Sequence, residues 1–243
     1  MATPAVASPA VAAYARTPGP EATTPWREAR FCVIDLETTG LDPEVGEIVS
    51  FAALQIAQGR LRLNDVRYQF VRPRRMPDPE TIRIHGLRST DLGDAPSLSE
   101  VLDGLLEALT GTALVAHVAS IETGFLSAAL RTRDLHFVNP VIDTAALASE
   151  LLRSRGQPVL AESIGLSSLA RSLGLPVHRP HHADGDALTT AQVFLALATH
   201  LDALEPQTVG SLESYGRARP SLRPTLARRI ALWRRGRGRT GKR

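Results

Sequence analysis

Apolar residues are concentrated most clearly in short runs in the first third of the chain. The segments FCVIDL, EIVSFAALQI and LNDVRYQFV are rich in branched and aromatic residues and predict three consecutive β-strands, with Gly59 in the turn before the third. The segment TTGLDPEVG, between the first two strands, carries the Gly, Asp and Pro residues that are typical of loops. A meander of three antiparallel strands is therefore expected.

The remainder of the chain alternates between helical and strand patterns. Short apolar runs in TALVAHV and FVNPVIDT predict two more strands, and the periodicity of 3.6 residues predicts helices between and after them. Ser97 or Ser99 is the expected N-cap of the first of these helices. Three strands followed by alternating helices and strands predict an α/β fold, with a mixed sheet of meander and parallel strands flanked by helices. The predicted helices are PSLSEVLDGLLEAL, Ser120 to about Arg133, TAALASELLRSR, SSLARSLGL and GDALTTAQVFLALATHLDAL.

The two ends of the chain differ in composition from the middle. Residues 1–28 are rich in Ala, Pro and Thr and are expected to be disordered, residues 29–205 to form the domain, and residues 206–243 to form a basic tail. Leu226, Ile230 and Trp233 recur at helical spacing, which is compatible with a short amphipathic helix. Such a tail can bind nucleic-acid phosphates, dock on a partner or an anionic membrane, or stay solvated and disordered.

Charge is distributed unevenly, because no acidic residue follows Glu213. The first 213 residues carry 17 basic and 25 acidic groups, which argues against a broad basic DNA-binding surface and suits a site that concentrates metal ions. The chain has no apolar run long enough to span a bilayer, so no integral membrane association is expected. A single Cys32, expected to be a small buried hydrophobe, excludes a disulfide framework and favours a cytoplasmic location.

Carboxylates occur at places where an ordinary core would not have them. Asp35 and Glu37 fall on one face of an otherwise apolar strand, where they repel each other unless a cation lies between them. Glu122 opens a predicted helix, Asp143 ends a predicted strand, and Asp186 lies in the first turn of the last long helix. Taken alone, Glu122 and Asp143 are better explained as acids at a helix N-terminus, and the same explanation is open for Asp186. Together with Asp35 and Glu37 they are the oxygen ligands that Mg²⁺ or Mn²⁺ prefers.

The order of these motifs resembles that of the DnaQ-like 3′–5′ exonucleases of the DEDD superfamily, which include the exonuclease domain of the DNA polymerase III epsilon subunit. DLETTG is similar to their first motif, LVAHVASIETGFL to the second, and HHADGDA to the His-x-Ala-x-x-Asp of the third. The resemblance spans roughly residues 31–200 and is supported by IHGL, VIDT and SSLARSLGL.

The resemblance implies a ribonuclease H-like fold and two divalent metal ions, Mg²⁺ or Mn²⁺. It implies that His181 is the general base of the His subtype, with His182 as a rival. By analogy, a pocket for the terminal nucleotide would involve the side chains and backbone around the first two motifs. The implied metal ligands are Asp35, Glu37, Glu122 and Asp186, and the implied substrate contacts are Thr38, Thr39, Leu41, His117 and Phe125.

The second motif departs from the family pattern His-Asn-x-x-Phe-Asp. Val118 replaces the Asn, and Glu122 replaces the Asp with one more methylene group. Three hypotheses follow. The protein is an active 3′–5′ exonuclease on single-stranded DNA or RNA ends, in proofreading or repair; or a weak or inactive module that binds nucleic acid, a DNA polymerase or another replication or repair protein; or an enzyme for short RNA like oligoribonuclease or RNase T.

Overall fold

A five-stranded mixed sheet lies at the centre of the protein, in a computed structural model that describes residues 8–77 and 79–217. The strands lie side by side in the order β3-β2-β1-β4-β5, with β1 antiparallel to β2 and β2 antiparallel to β3. The pairs β1–β4 and β4–β5 are parallel, so the predicted meander and parallel strands are confirmed. The strands are β1 Arg30–Thr38, β2 Ile48–Ala57, β3 Arg60–Phe70, β4 Ala113–Ala116 and β5 Val141–Asp143.

Helices cover both faces of the sheet, as the two apolar faces require. One hydrophobic core joins the sheet to α1, α4 and α5, and the other joins it to α6, α7, α8 and α9. Ser97 precedes α4 and forms a capping box with Glu100, as its position predicts. The helices are α1 Pro9–Arg16, α2 Pro79–His85, α3 Ser89–Leu92, α4 Leu98–Leu109, α5 Ser120–Arg131, α6 Thr144–Ser154, α7 Leu166–Ser172, α8 Ala183–Asp202 and α9 Val209–Arg217.

Alternation along β1 divides its side chains between the two cores. Cys32 and Ile34 pack into the core on the α4 side, whereas Phe31 and Val33 pack into the core on the α8 side. Asp35 and Glu37 continue the second set, so both carboxylates leave the sheet toward the start of α8. Cys32 is fully buried, which raises the pKa of its thiol to about 12 and confirms its role as a small hydrophobe.

The N-terminal segment differs from the disorder expected for residues 1–28. Residues 9–16 form α1, which Ser8 caps by accepting a hydrogen bond from the Val11 amide. Tyr14 is buried against the core, and its hydroxyl donates a 2.7 Å hydrogen bond to Oδ1 of Asn139. Burying a large apolar side chain stabilises a fold by about 1.5–3 kcal/mol, which offsets the low intrinsic order of an Ala/Pro/Thr-rich segment. Residues 1–7 lie outside the described part of the chain.

The C-terminal segment also begins with an ordered helix that the sequence did not predict. Val209 and Leu212 of α9 are fully buried against β5 and α6, and the amides of Val209 and Gly210 donate to the carbonyls of Thr24 and Ala22. The rest of the basic tail, including the predicted amphipathic helix, lies outside the described residues. Within residues 8–217, apart from residue 78, no helix has the length and apolarity that a bilayer crossing needs.

Candidate metal centre

Three carboxylates from two elements meet at the carboxyl end of β1. Asp35 and Glu37 come from β1, and Asp186 comes from the first turn of α8. One oxygen of each carboxylate lies within 4.8 Å of the others. Among the residues that the structure describes, this is the group of acidic, His and Cys side chains close enough to hold a metal ion. The structure therefore brings together the first and third sequence motifs.

The arrangement disfavours the charged forms of two of the three carboxylates, Asp35 and Asp186. Burial raises the pKa of Asp35 well above its ordinary value, and the charges of Asp186, Glu37 and Glu122 raise it further. Burial likewise raises the pKa of Asp186 to about 6, although the hydrogen bond from the His181 amide opposes this shift. A divalent cation would remove the repulsion, and hard cations prefer carboxylate oxygens. The donor set therefore fits a metal of the Mg²⁺ or Mn²⁺ class.

Glu122 lies beside this group, in the first turn of α5, and is 5% exposed. Its negative charge raises the pKa of Asp35, so the carboxylate of Glu122 is close enough to repel that of Asp35. Its oxygens nevertheless fall outside the group of three that lies within 4.8 Å. The structure thus places the predicted fourth ligand next to the other three without bringing it equally close.

The loop that carries His181 is fixed by its contacts with α8. His181 has a positive φ of 64°, and its amide donates a 2.9 Å hydrogen bond to Oδ2 of Asp186. The loop can lie against the helix because Gly185 has no side chain: a Cβ there would come within 2.5 Å of the Arg179 carbonyl oxygen. The Thr189 hydroxyl also accepts a hydrogen bond from the His178 amide at 3.0 Å. His182, the rival base, is the N-cap residue of α8.

Asp143 has a structural role rather than a place among the clustered carboxylates. It is the N-cap of α6, and its Oδ1 accepts hydrogen bonds from the amides of Ala145 and Val118 at 2.9 and 3.0 Å. Burial raises its pKa, and these amides lower it. The helix-cap explanation for Asp143 is therefore correct.

Val118 adopts a backbone conformation that suits the residue it replaces in the family pattern. Its φ is 59°, in the left-handed region that Asn tolerates and a β-branched residue disfavours. The adjacent His117 places its Nδ1 2.9 Å from the Thr144 hydroxyl, and burial lowers the pKa of His117 to about 4. His117 is therefore neutral at physiological pH. The backbone strain at Val118 is of a kind that costs about 1–3 kcal/mol and tends to occur at functional sites.

The loop after β1 holds the residues expected to contact a terminal nucleotide. The Thr38 hydroxyl donates to the carbonyl of Gly40, while Thr39 exchanges two hydrogen bonds of 2.9 Å with the backbone of Glu47. The Thr39 carbonyl also accepts a 3.2 Å bond from the hydroxyl of Thr81 in α2. Leu41 is half-buried in the same loop. These contacts give the loop a defined conformation beside the carboxylates.

Phe125, one of the substrate contacts that the family resemblance implied, is buried in the structure. It is 2% exposed in the core, and its ring lies 3.1 Å from the position that a Cβ on Gly46 would occupy. Pro43 packs in the same way near Gly124 of α5. Phe125 therefore supports the β1–β2 loop from below and is not brought to the surface of the site.

Several residues around the centre were not identified from the sequence. Thr144 positions His117, and Gly185 allows the His181 loop to approach α8. Burial raises the pKa of the Tyr68 hydroxyl, and the nearby charges of Asp184 and Glu37 raise it further. None of these residues left a signal in the sequence, since the face on which Tyr68 lies depends on the register of β3.

Comparisons with known proteins agree on one family. The family model described as Exonuclease matches residues 32–194. The DNA polymerase III PolC-type protein of Thermotoga petrophila is 37% identical over 171 residues, which cover 70% of this chain and 12% of that protein. The DNA polymerase III subunit epsilon-like protein of Rhodobacter capsulatus is 34% identical over 194 residues, covering 79% of this chain and 27% of that protein. The chain therefore spans less than a third of the length of these relatives.

A solved structure supports the same fold. Exonuclease X in complex with 5′ overhanging duplex DNA superposes with a TM-score of 0.58 at 23% sequence identity. The match covers 76% of this chain and 98% of that one. At this identity the likeness concerns the fold, and it confirms the ribonuclease H-like arrangement expected from the sequence.

Proposed function

This chain belongs to the DnaQ-like exonuclease family, and from that premise we propose that it is a metal-dependent 3′–5′ exonuclease. It would release nucleoside monophosphates from single-stranded nucleic-acid ends. The observation that carries the proposal is the convergence of Asp35, Glu37 and Asp186, with carboxylate oxygens within 4.8 Å of one another.

The residues divide into ligands and a base. Asp35, Glu37, Asp186 and Glu122 would hold two divalent ions, which when bound lower the pKa of a water molecule and stabilise the charge on a leaving oxygen. His181 would accept the proton of the attacking water, because an imidazole titrates near physiological pH. The hydrogen bond from its amide to Asp186 ties the position of this base to that of a ligand.

Substrate contacts come from the loop after β1 and from the end of β4. Thr38, Thr39 and Leu41 would enclose the terminal nucleotide on one side, and His117 on the other. Because His117 is neutral at physiological pH, it would offer a hydrogen bond and not a positive charge to the substrate. Phe125 would act only through the loop that it supports.

A second candidate function is favoured by one observation. Glu122 lies outside the group of three close carboxylates, so a site that needs all four would bind its second ion weakly. The protein would then be a non-catalytic module that binds nucleic acid or a polymerase partner. The wild-type protein separates the two functions, because an enzyme shortens a single strand in Mn²⁺ and a binding module does not. If the wild type is inactive, cleavage restored by Glu122→Asp would trace the loss of activity to this residue, and no cleavage by the variant would not.

The substrate is tested by a panel of 5′-labelled single-stranded DNA, single-stranded RNA and dinucleotides, incubated with Mg²⁺ or Mn²⁺ beside the Asp35→Ala variant. We expect a ladder of shortened products from at least one single-stranded substrate and none from the variant. Cleavage of dinucleotides and short RNA alone would favour an oligoribonuclease-like activity. No product from any substrate would reject the proposed enzyme and favour the binding module.

A class of partner and a location are also proposed. The relatives are named as polymerase III proteins, so a DNA polymerase or another replication or repair protein is the proposed partner class. A cytoplasmic location stays a prediction, based on the single buried Cys32.

A further inference from the structure

The face of the sheet that carries the clustered carboxylates continues to the edge strand. Asp35 lies opposite Ala52, which lies opposite Tyr68 on β3. Glu37 lies opposite Ser50, which lies opposite Phe70. Residues directly opposite each other in antiparallel strands project from the same face of a sheet. Two adjacent rows therefore each lead from a carboxylate to an aromatic ring, over two strand spacings, or about 10 Å.

The middle of each row is filled by small, buried residues, so no large side chain of β2 stands between the carboxylates and the aromatic rings. Ala52 and Ser50 are small and are 0% and 1% exposed, whereas Tyr68 is 36% exposed. Phe70 lies against a small cluster of Val49, Leu87 and Leu92. Its ring meets that of Tyr68 edge-on, with centroids 5.3 Å apart. Phe70 thus fixes the Tyr68 ring while leaving about a third of that residue open to solvent.

Charged groups place Tyr68 at the rim of the metal centre. Besides burial, the charges of Asp184 and Glu37 raise its pKa, and Arg179 lowers it. Arg179 donates a 3.0 Å hydrogen bond to Asp184 at the start of α8, and its side chain is 65% exposed. An open aromatic ring beside an exposed guanidinium is the combination that proteins use to bind single-stranded nucleic acid.

We propose that Tyr68 is a substrate-positioning residue, which stacks on a nucleobase of the strand held at Asp35 and Glu37 while Arg179 neutralises a neighbouring phosphate. This inference rests on the proposed function, because it needs a nucleic-acid strand at the carboxylates. β3 is an edge strand of the described sheet, so a nucleic-acid chain that passes over β2 to Tyr68 meets no further β-strand beyond it. The contact is independent of sequence, since every base has a π-face.

The test measures binding of a 5′-fluorescein single-stranded oligonucleotide by anisotropy in Ca²⁺, a hard cation that carboxylates bind, with the length of the oligonucleotide checked on a gel after each reading. Loss of a base–aromatic stack by alanine substitution corresponds to about a 5- to 150-fold weaker Kd. We expect this loss for Tyr68→Ala, with Tyr68→Phe and the control Val66→Ala within about twofold of the wild type. Val66 suits this control because it is also exposed and lies two residues earlier on the same strand.

An oligonucleotide with abasic sites identifies the stacked group. Wild-type protein should bind it more weakly than the normal oligonucleotide by the same factor, and Tyr68→Ala should not distinguish the two. Equal binding of both by the wild type would overturn the inference even if Tyr68→Ala failed to fold, and so would a loss in Tyr68→Ala that is as large on the abasic strand. No binding by the wild type also overturns it.

Kinetics separate this inference from the proposed function. If the enzyme is active, Tyr68→Ala should raise KM and leave kcat within about threefold, because stacking acts equally on bound substrate and transition state. An active enzyme with unchanged KM in Tyr68→Ala refutes the role of Tyr68 alone. An inactive wild type that still shows base-dependent binding through Tyr68 refutes the exonuclease alone.

Discussion

Gly185 allows the loop of the proposed general base to lie against α8, and replacing it with Ala should displace that base. A Cβ at this position would come 2.5 Å from the Arg179 carbonyl oxygen, 2.6 Å from that of His178 and 2.8 Å from the Arg179 Cβ. Carbonyl oxygens of the main chain cannot rotate away as the end of a flexible side chain can. The loop must therefore move as a unit, and His181 follows two residues after Arg179.

The size of the displacement can be worked out from these contacts. An ordinary contact begins near 3.4 Å, so the Arg179 carbonyl oxygen has to withdraw by about 0.9 Å. A misplacement of about 1 Å can cost about a hundredfold in rate. The effect on folding is smaller, because crowding costs about 1–3 kcal/mol and Ala favours a helix over Gly by up to about 1 kcal/mol. Gly185→Ala should therefore lose activity far more than stability.

The assay compares kcat for hydrolysis of a mononucleotide p-nitrophenyl ester with the midpoint of thermal unfolding. Gly165→Ala is the matched control, because a Cβ there meets no atom within 4 Å and φ is −67°. We expect Gly185→Ala to lose kcat by about a hundredfold and Gly165→Ala to stay near the wild type. A folded Gly185→Ala variant with kcat within threefold of the wild type would refute the link between this contact and His181.

Three further predictions follow from strain, protonation and charge. Val118→Asn should raise the unfolding midpoint by about 2–4 °C, because Asn tolerates the φ of 59°, and a lower midpoint would contradict the strain. The folded state binds a proton at Asp186 more tightly than the unfolded state, since its pKa is raised to about 6. The free energy of unfolding of the metal-free protein should therefore fall as the pH rises from about 4 to 6, and it should fall less in Asp186→Asn. Mn²⁺ should stabilise the protein more at pH 8 than at pH 5, because the ion binds the deprotonated carboxylate. Ending the chain at Arg217 removes ten basic residues and should weaken oligonucleotide binding, with the slope of log K against log salt shallower by about 0.7 per lost phosphate contact; an unchanged slope would show that the tail is not involved.

The sheet and the long helices could be predicted because their signals are local. The apolar runs of β1 and β2 and the turn at Gly59, which has a φ of 64°, can be recognised from neighbouring residues alone. The order of α1 depends instead on Tyr14 meeting Asn139, 125 positions away. Amino-acid composition cannot report a contact at that separation, so it predicts disorder where the structure has a helix.

The candidate site divides in the same way. Asp35 and Asp186 stand out because a carboxylate at a strand or helix end has few structural explanations, and their motif spacing adds to this. Tyr68 and Gly185 give no such signal, because an aromatic residue in a strand and a glycine near a helix start are common. Their roles depend on the register of β3 and on the approach of one loop to α8.

The proposal of a 3′–5′ exonuclease is tested most directly by following the two ends of one single-stranded oligonucleotide in the presence of Mn²⁺. The account predicts that a 3′ label is released at once as a mononucleotide, while a 5′ label descends through a ladder of single-nucleotide steps. Both signals should vanish in EDTA and in Asp35→Ala. Early release of the 5′ label, internal cuts, or activity that survives in Asp35→Ala would contradict it.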